Sequence, residues 1–148
     1  MENLIFVVNQ TCCMTGYSGT PLLKKLGIKD EMKLLILNPP GGIDAYWKLI
    51  SVDCSSQLCK PKERPDFIHL FVTSQKEFIK FYKQIENRLS GNVSLWVSWY
   101  KKSAGIPTDV TEDWLRQFAL ANNLVDVKVC AVTEQWSGLK LVIPVANR

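Results

Sequence analysis

Histidine is nearly missing from this 148-residue chain: there is one, His69. A single imidazole leaves no room for a His-rich metal site and makes a Ser-His or Cys-His nucleophile pair hard to assemble. No G-x-S-x-G elbow and no close pair of acids in a clearly apolar setting is present. Arg-rich runs are absent and the net charge is only +4, so no nucleic-acid partner is expected, although an anionic ligand would be mildly attracted. No apolar run reaches membrane-spanning length, and the opening MENLIFVV carries Glu2 where a leader peptide has basic residues. The cytoplasm is therefore the expected compartment, with no membrane partner. Cysteines number five, an odd count in a chain without a secretion signal, which speaks against a disulfide framework. Cys54 and Cys59 stand as a lone C-x4-C pair, short of the four ligands that zinc needs.

What the chain does have is enough apolar content for a core: 47% hydrophobic against 22% charged residues, in a length suited to one domain. Residues 1–15 read as an N-terminal extension and 16–148 as a single domain. Leu4 to Val8 could add an edge strand; alternatively translation begins at Met14 and the first thirteen residues are a gene-start artefact.

The chain is organised around Val93 to Asp113, VSLWVSWYKKSAGIPTDVTED. Large side chains fall on both alternating sets, which predicts a strand covered on both faces, as in a parallel sheet between helix layers. A helix start follows, capped either by Asp109 with Glu112 or by Thr111. Upstream, Thr20 and Pro21 open a short helix closed by Gly27. Lys33 to Asn38 reads as the first core strand, running into Pro39-Pro40-Gly41-Gly42 and a helix over Asp44 to Ile50. Residues 51–66 read as a polar loop with one short strand near Val52. Asp66 to Val72 is a second strand. Ser74 and Glu77 cap a helix whose aromatics, Phe78, Phe81 and Tyr82, face a core. His69, flanked by Phe67 and Phe71, reads as a packed core residue. After a helix through Trp114 and Phe118, strands over Leu124 to Thr133 and Leu139 to Val145 are joined by the turn Glu134 to Gly138.

This order predicts an α/β fold, Rossmann-like, with a mostly parallel sheet, helices on both faces and a C-terminal antiparallel hairpin. The hairpin ending is similar to that of the class I methyltransferase fold, in reduced form. Ligands in such sheets bind at the carboxyl ends of the strands. That edge gathers the candidate ligand residues Lys101, Lys102, Ser103, Thr108, Trp136, Ser137 and Gly138, with Lys140 at its margin. Lysines, hydroxyls and a helix start suit a phosphate or carboxylate, and Trp136 could stack on a flat ring or plug the hairpin. Asn38, Gly41 and Gly42 are the candidate cofactor loop, although two prolines remove N–H donors from it. Asp53 is the candidate acid for a ribose. No catalytic residue, cofactor identity or metal is assigned.

Three segments together, GYSGTPLLKKLGIK at 16–29, KKSAGIPTDVTED at 101–113 and LVDVKVCAVTEQWSGLKLV at 124–142, resemble a family of small bacterial proteins catalogued as a domain of unknown function. The resemblance implies a bacterial cytosolic protein of about this domain's extent and carries no site residues. Three functions stay open: a module binding a small anionic ligand, an S-adenosylmethionine-dependent methyltransferase-like enzyme, and a domain that binds a protein partner.

Overall fold

In a computed structural model, which describes residues 20–148, five strands form one sheet among the described residues. The strands are β1 (Leu34–Leu37), β2 (Phe67–Phe71), β3 (Ser94–Tyr100), β4 (Val125–Ala131) and β5 (Trp136–Val142). Their spatial order is β1-β2-β3-β5-β4. The first three are parallel, and β5 is antiparallel to both β3 and β4. The readings made for residues 1–15, and for the Gly16 to Gly19 part of the opening motif, lie outside the described residues.

The helices are α1 (Leu22–Leu26), α2 (Ile43–Ile50), α3 (Gln75–Ile85) and α4 (Glu112–Ala121). Pleating splits the sheet residues between two cores. Phe67, Phe71, Trp96 and Trp136 pack with Leu26 of α1 and with Tyr46, Trp47 and Ile50 of α2. Ile68, Leu70, Leu95, Val97, Leu139 and Leu141 pack with Phe78, Tyr82 and Ile85 of α3 and with Leu115 and Ala119 of α4. Every residue of β2 is buried, as are all of β3 except Tyr100, which is what a sheet covered on both faces demands.

The two helix starts differ in how they are capped. Ser74 Oγ accepts from Glu77 N at 3.0 Å, as its spacing predicts. For α4 the cap is Thr111, whose Oγ1 accepts from Trp114 N at 3.1 Å. Asp109 instead reaches across to the other helix, accepting from the first N–H of α3, Gln75 N, at 2.8 Å. The Thr20 reading is also corrected: Pro21 is the cap residue of α1, and no side chain caps it.

Helices on opposite faces carry a topological consequence. A right-handed β-α-β crossover on one face steps one way along the sheet, and on the other face it steps back. The second crossover, through α3, steps inward from β2 to β3. The first, through α2, therefore steps outward from β1. That step survives as a single residue pair, the parallel bridge of Leu34 with Leu58, with Cys59 N donating to Leu34 O at 2.7 Å. The chain then returns to the inner side as β2. No strand forms near Val52, which is exposed at 43%.

Candidate functional site

The carboxyl ends of β1, β2 and β3 share one edge, and the turn between β4 and β5 lies on it because Trp136 pairs with Tyr100. At the end of β1, Asn38 adopts a left-handed conformation (φ 57°) and its amide donates to Phe71 O at 2.9 Å, tying the ends of β1 and β2 together. Gly42 N donates to Pro39 O at 3.0 Å, so the proline pair forms a tight turn. Gly41 (φ 76°) and Gly42 (φ 90°) sit exposed in conformations that favour glycine, and a Cβ on Gly41 would meet Ala45 Cβ at 3.0 Å. This is a bare backbone turn opening directly onto α2, which permits close approach of a ligand.

At the end of β3, Lys101 N donates to Gln135 O at 2.8 Å, and Lys102 to Ala104 make a single 3-10 turn. Lys102 and Ser103 are exposed and Lys101 is half-buried. Thr108 Oγ1 donates to Thr73 O at 2.8 Å, and Gln75 Nε2 donates to Asp109 O at 2.7 Å. These bonds strap the 101–110 loop onto the junction of β2 with α3. Thr108 is thus committed to holding the loop, with its hydroxyl already engaged.

Four predicted residues are placed differently, three of them in the hairpin. Trp136, Ser137 and Gly138 lie within β5, not in a turn, because the hairpin closes earlier. Val132 N and Thr133 N donate to Trp136 O at 2.9 and 3.1 Å, and Thr133 Oγ1 accepts from Gln135 N and Trp136 N. Trp136 is buried, edge-on to Phe71 at 5.2 Å and against Tyr100 at 4.1 Å. It is the plug of the hairpin. Gly138 is buried opposite Ser98, and a Cβ there would stand 2.9 Å from Val132 Cγ2 and 3.2 Å from Trp96 Cε3. Its hydrogen is required by packing. Asp53 is not brought to the carboxyl edge. It follows α2, which returns the chain to the amino ends of the strands. There its carboxylate accepts from Ser55 N at 2.8 Å, while nearby Gln57 Nε2 donates to Lys29 O and Met32 O, ahead of β1. The Ser55 hydroxyl and N–H hold the Asp53 carboxyl below its ordinary range.

His69 is a core residue, as its flanking phenylalanines imply, and it is fully buried. It stacks on Phe71 at 4.3 Å, with Nδ1 at 2.7 Å from Tyr46 Oη and Nε2 at 2.7 Å from Ser98 Oγ. Desolvation pushes its pKa down to about 3, so it is neutral at ordinary pH. Burial, followed by Cys54, raises that of Tyr46 far above the usual phenol. Nothing in the local sequence announces Tyr46 as a partner. Ser98 could have been found, since alternation puts it on the Trp96 face of β3.

Among the described residues no His, Cys, Asp and Glu side chains gather in a group of three or more that could hold a metal ion. No described helix is long and apolar enough to cross a membrane. An open groove of about 440 Å³ lined by residues including Tyr82, Glu86, Asn122 and Ile143 holds none of the predicted site residues.

No protein-family model and no curated protein matches this chain. Solved structures do. A protein of the NADB-Rossmann superfamily from Streptococcus agalactiae superposes with a TM-score of 0.54 at 14% identity, over 86% of this chain and 69% of its own. A SAM dependent methyltransferase from Aquifex aeolicus superposes with a TM-score of 0.54 at 16% identity, over 83% of this chain and 88% of its own. The fold is therefore Rossmann-like, of the methyltransferase type. At these identities the likeness speaks for the fold alone.

Measured against an adenosyl cofactor, the site fits at one end only. The glycine turn after β1 leaves room for close approach. The neighbouring strand that would bring an acid to a ribose is cut to the Leu34–Leu58 pair, and Asp53 stands at the other end of the sheet. No step of a methyl transfer is derived from these residues.

Proposed function

We propose that this chain is a methyltransferase-like domain that binds a small ligand bearing an anionic group at the carboxyl-end edge of its sheet. The observation that carries the reading is that the Gly41–Gly42 turn and the Lys101–Lys102 loop lie on the same edge, at the carboxyl ends of β1 and β3 on either side of β2. Exposed glycine backbone admits the body of a ligand, and two lysines on a strapped loop offer charge to a carboxylate or phosphate.

S-adenosylmethionine, which carries a carboxylate on its amino-acid end, is the first ligand to test, because the fold is shared with the Aquifex aeolicus enzyme. The second reading is a simpler phosphate or carboxylate compound without an adenosyl part. The loss of the outer strand favours it, since that strand's acid is what a ribose would need.

Thermal melting separates them. A ligand at a hundred times its Kd adds about 2.7 kcal/mol, which for a domain of this size raises Tm by roughly 5–10 °C. A rise with S-adenosylmethionine supports the first reading, and a rise only with phosphate or carboxylate compounds supports the second. In either case Lys101→Ala with Lys102→Ala abolishes the rise, measured against that variant's own ligand-free Tm, while Asp53→Ala leaves it intact. A flat response across both ligand classes, or full response in the double variant, removes the proposal.

A further inference from the structure

Away from the strand-end edge, the sheet face beneath α1 holds an arrangement that the fold does not require. Lys128 of β4 and Lys140 of β5 are direct cross-strand partners. Like charges directly opposite each other destabilise a sheet. The pair is not at a frayed end, since three register pairs follow it toward the turn and two lie toward the open end of the hairpin, beyond a register shift between Asp126 and Lys128. Lys140 is half-buried, next to Trp96 in register.

The α1 end closes over the pair. Trp96 Nε1 donates to Leu26 O at 3.0 Å, and Lys128 Nζ donates to Lys25 O at 2.9 Å. The second bond orients one ammonium with a neutral carbonyl and leaves its charge uncancelled. Lys29, in the turn after α1, adds a further charge felt at Lys140. Among the described residues no carboxylate lies within ion-pair distance of Lys29, Lys128 or Lys140, whereas Lys33 has one and Arg116 two. Burial and the neighbouring charges of Lys128 and Lys29 hold the Lys140 ammonium below its ordinary range, as expected where like charges are held together.

We propose that the sheet face beneath the end of α1, where Lys128 and Lys140 stand side by side with Lys29 in the turn above them, binds a multiply charged phosphate group. Three ammonium groups drawn from two strands and a turn suit an oligophosphate better than a single carboxylate, because one compact anion of several charges relieves their repulsions together. The site is separate from the Gly41–Gly42 turn and does not depend on what binds there.

The test is a titration of the full chain with sodium tripolyphosphate at constant ionic strength, read by melting temperature and by tryptophan fluorescence. Tripolyphosphate is expected to raise Tm. Lys128→Ala with Lys140→Met weakens its binding at least tenfold, while Lys76→Ala with Lys80→Ala, on the exposed side of α3, leaves it unchanged. Lys140→Met keeps the aliphatic stem, so without tripolyphosphate this single variant melts no lower than the parent, which keeps lost binding distinct from lost folding. Displacement by ADP assigns the phosphate to a free nucleotide, and displacement by a short single-stranded RNA assigns it to a nucleic-acid backbone; both support the site. The proposal is overturned if sodium chloride at matched ionic strength reproduces the rise, or if the Lys76/Lys80 variant loses as much affinity as the Lys128/Lys140 variant.

Discussion

His69 is fully buried between two hydroxyls, and its neutrality links folding to pH. Its folded pKa, about 3, lies below the roughly 6.5 of an unfolded imidazole. Between those values the unfolded chain binds the extra proton. Stability contributed by neutral His69 is therefore complete above about pH 6.5 and falls as the pH drops toward 3, with a slope approaching about 1.4 kcal/mol per pH unit. Urea unfolding at several pH values across this window should show that slope in the parent and a shallower one in His69→Gln. Equal slopes would mean that His69 is not buried as described. Gly138 allows a second prediction at this scale. A methyl group there meets Val132, a stiff β-branched neighbour, and the ring of Trp96. Gly138→Ala should cost about 1–3 kcal/mol, and adding Val132→Ala should recover part of that loss, since the two sites share one space. A strictly additive double mutant would contradict the packing.

At the scale of elements, periodicity and capping signals located the four α-helices and five sheet strands between residues 20 and 148, but they set the last strand three residues late, added a strand near Val52 that does not form, and did not find every partner. The alternation of Val93 to Tyr100 and the helical spacing of Phe78, Tyr82 and Ile85 are local properties, and both elements form as their patterns dictate. Asp109 shows the limit. Its spacing to Glu112 fits a cap for α4, yet Thr111 fills that role, which releases the Asp109 carboxylate for the first N–H of α3. Asp109→Ala should therefore lower stability by about 0.5–1 kcal/mol, and Asp109→Asn, which keeps an acceptor, should cost less. Urea midpoints of both variants measure this; an unchanged midpoint in Asp109→Ala would show that the strap across α3 contributes nothing. The hairpin turn is shorter than its composition predicts for a similar reason. Thr133 Oγ1 accepts two backbone N–H groups and closes the turn before Trp136, a bond that turn composition alone does not announce.

Taken as a whole molecule, the chain's amino-acid order determined the fold class, the buried aromatic helix face, the core placement of His69 and the position of Asn38, Gly41, Gly42, Lys101 and Lys102 at strand ends along one sheet edge. These follow from local periodicity and from the rule that parallel strands end together. Only the tertiary structure decided that Gly138 is a packing glycine, that Trp136 is a plug, that Asp53 faces the wrong end of the sheet, and that Lys128 stands beside Lys140. Each depends on which strand lies next to which and in what register. That is settled by burying two aromatic-rich faces at once, over contacts far apart in the chain, and no local pattern encodes it.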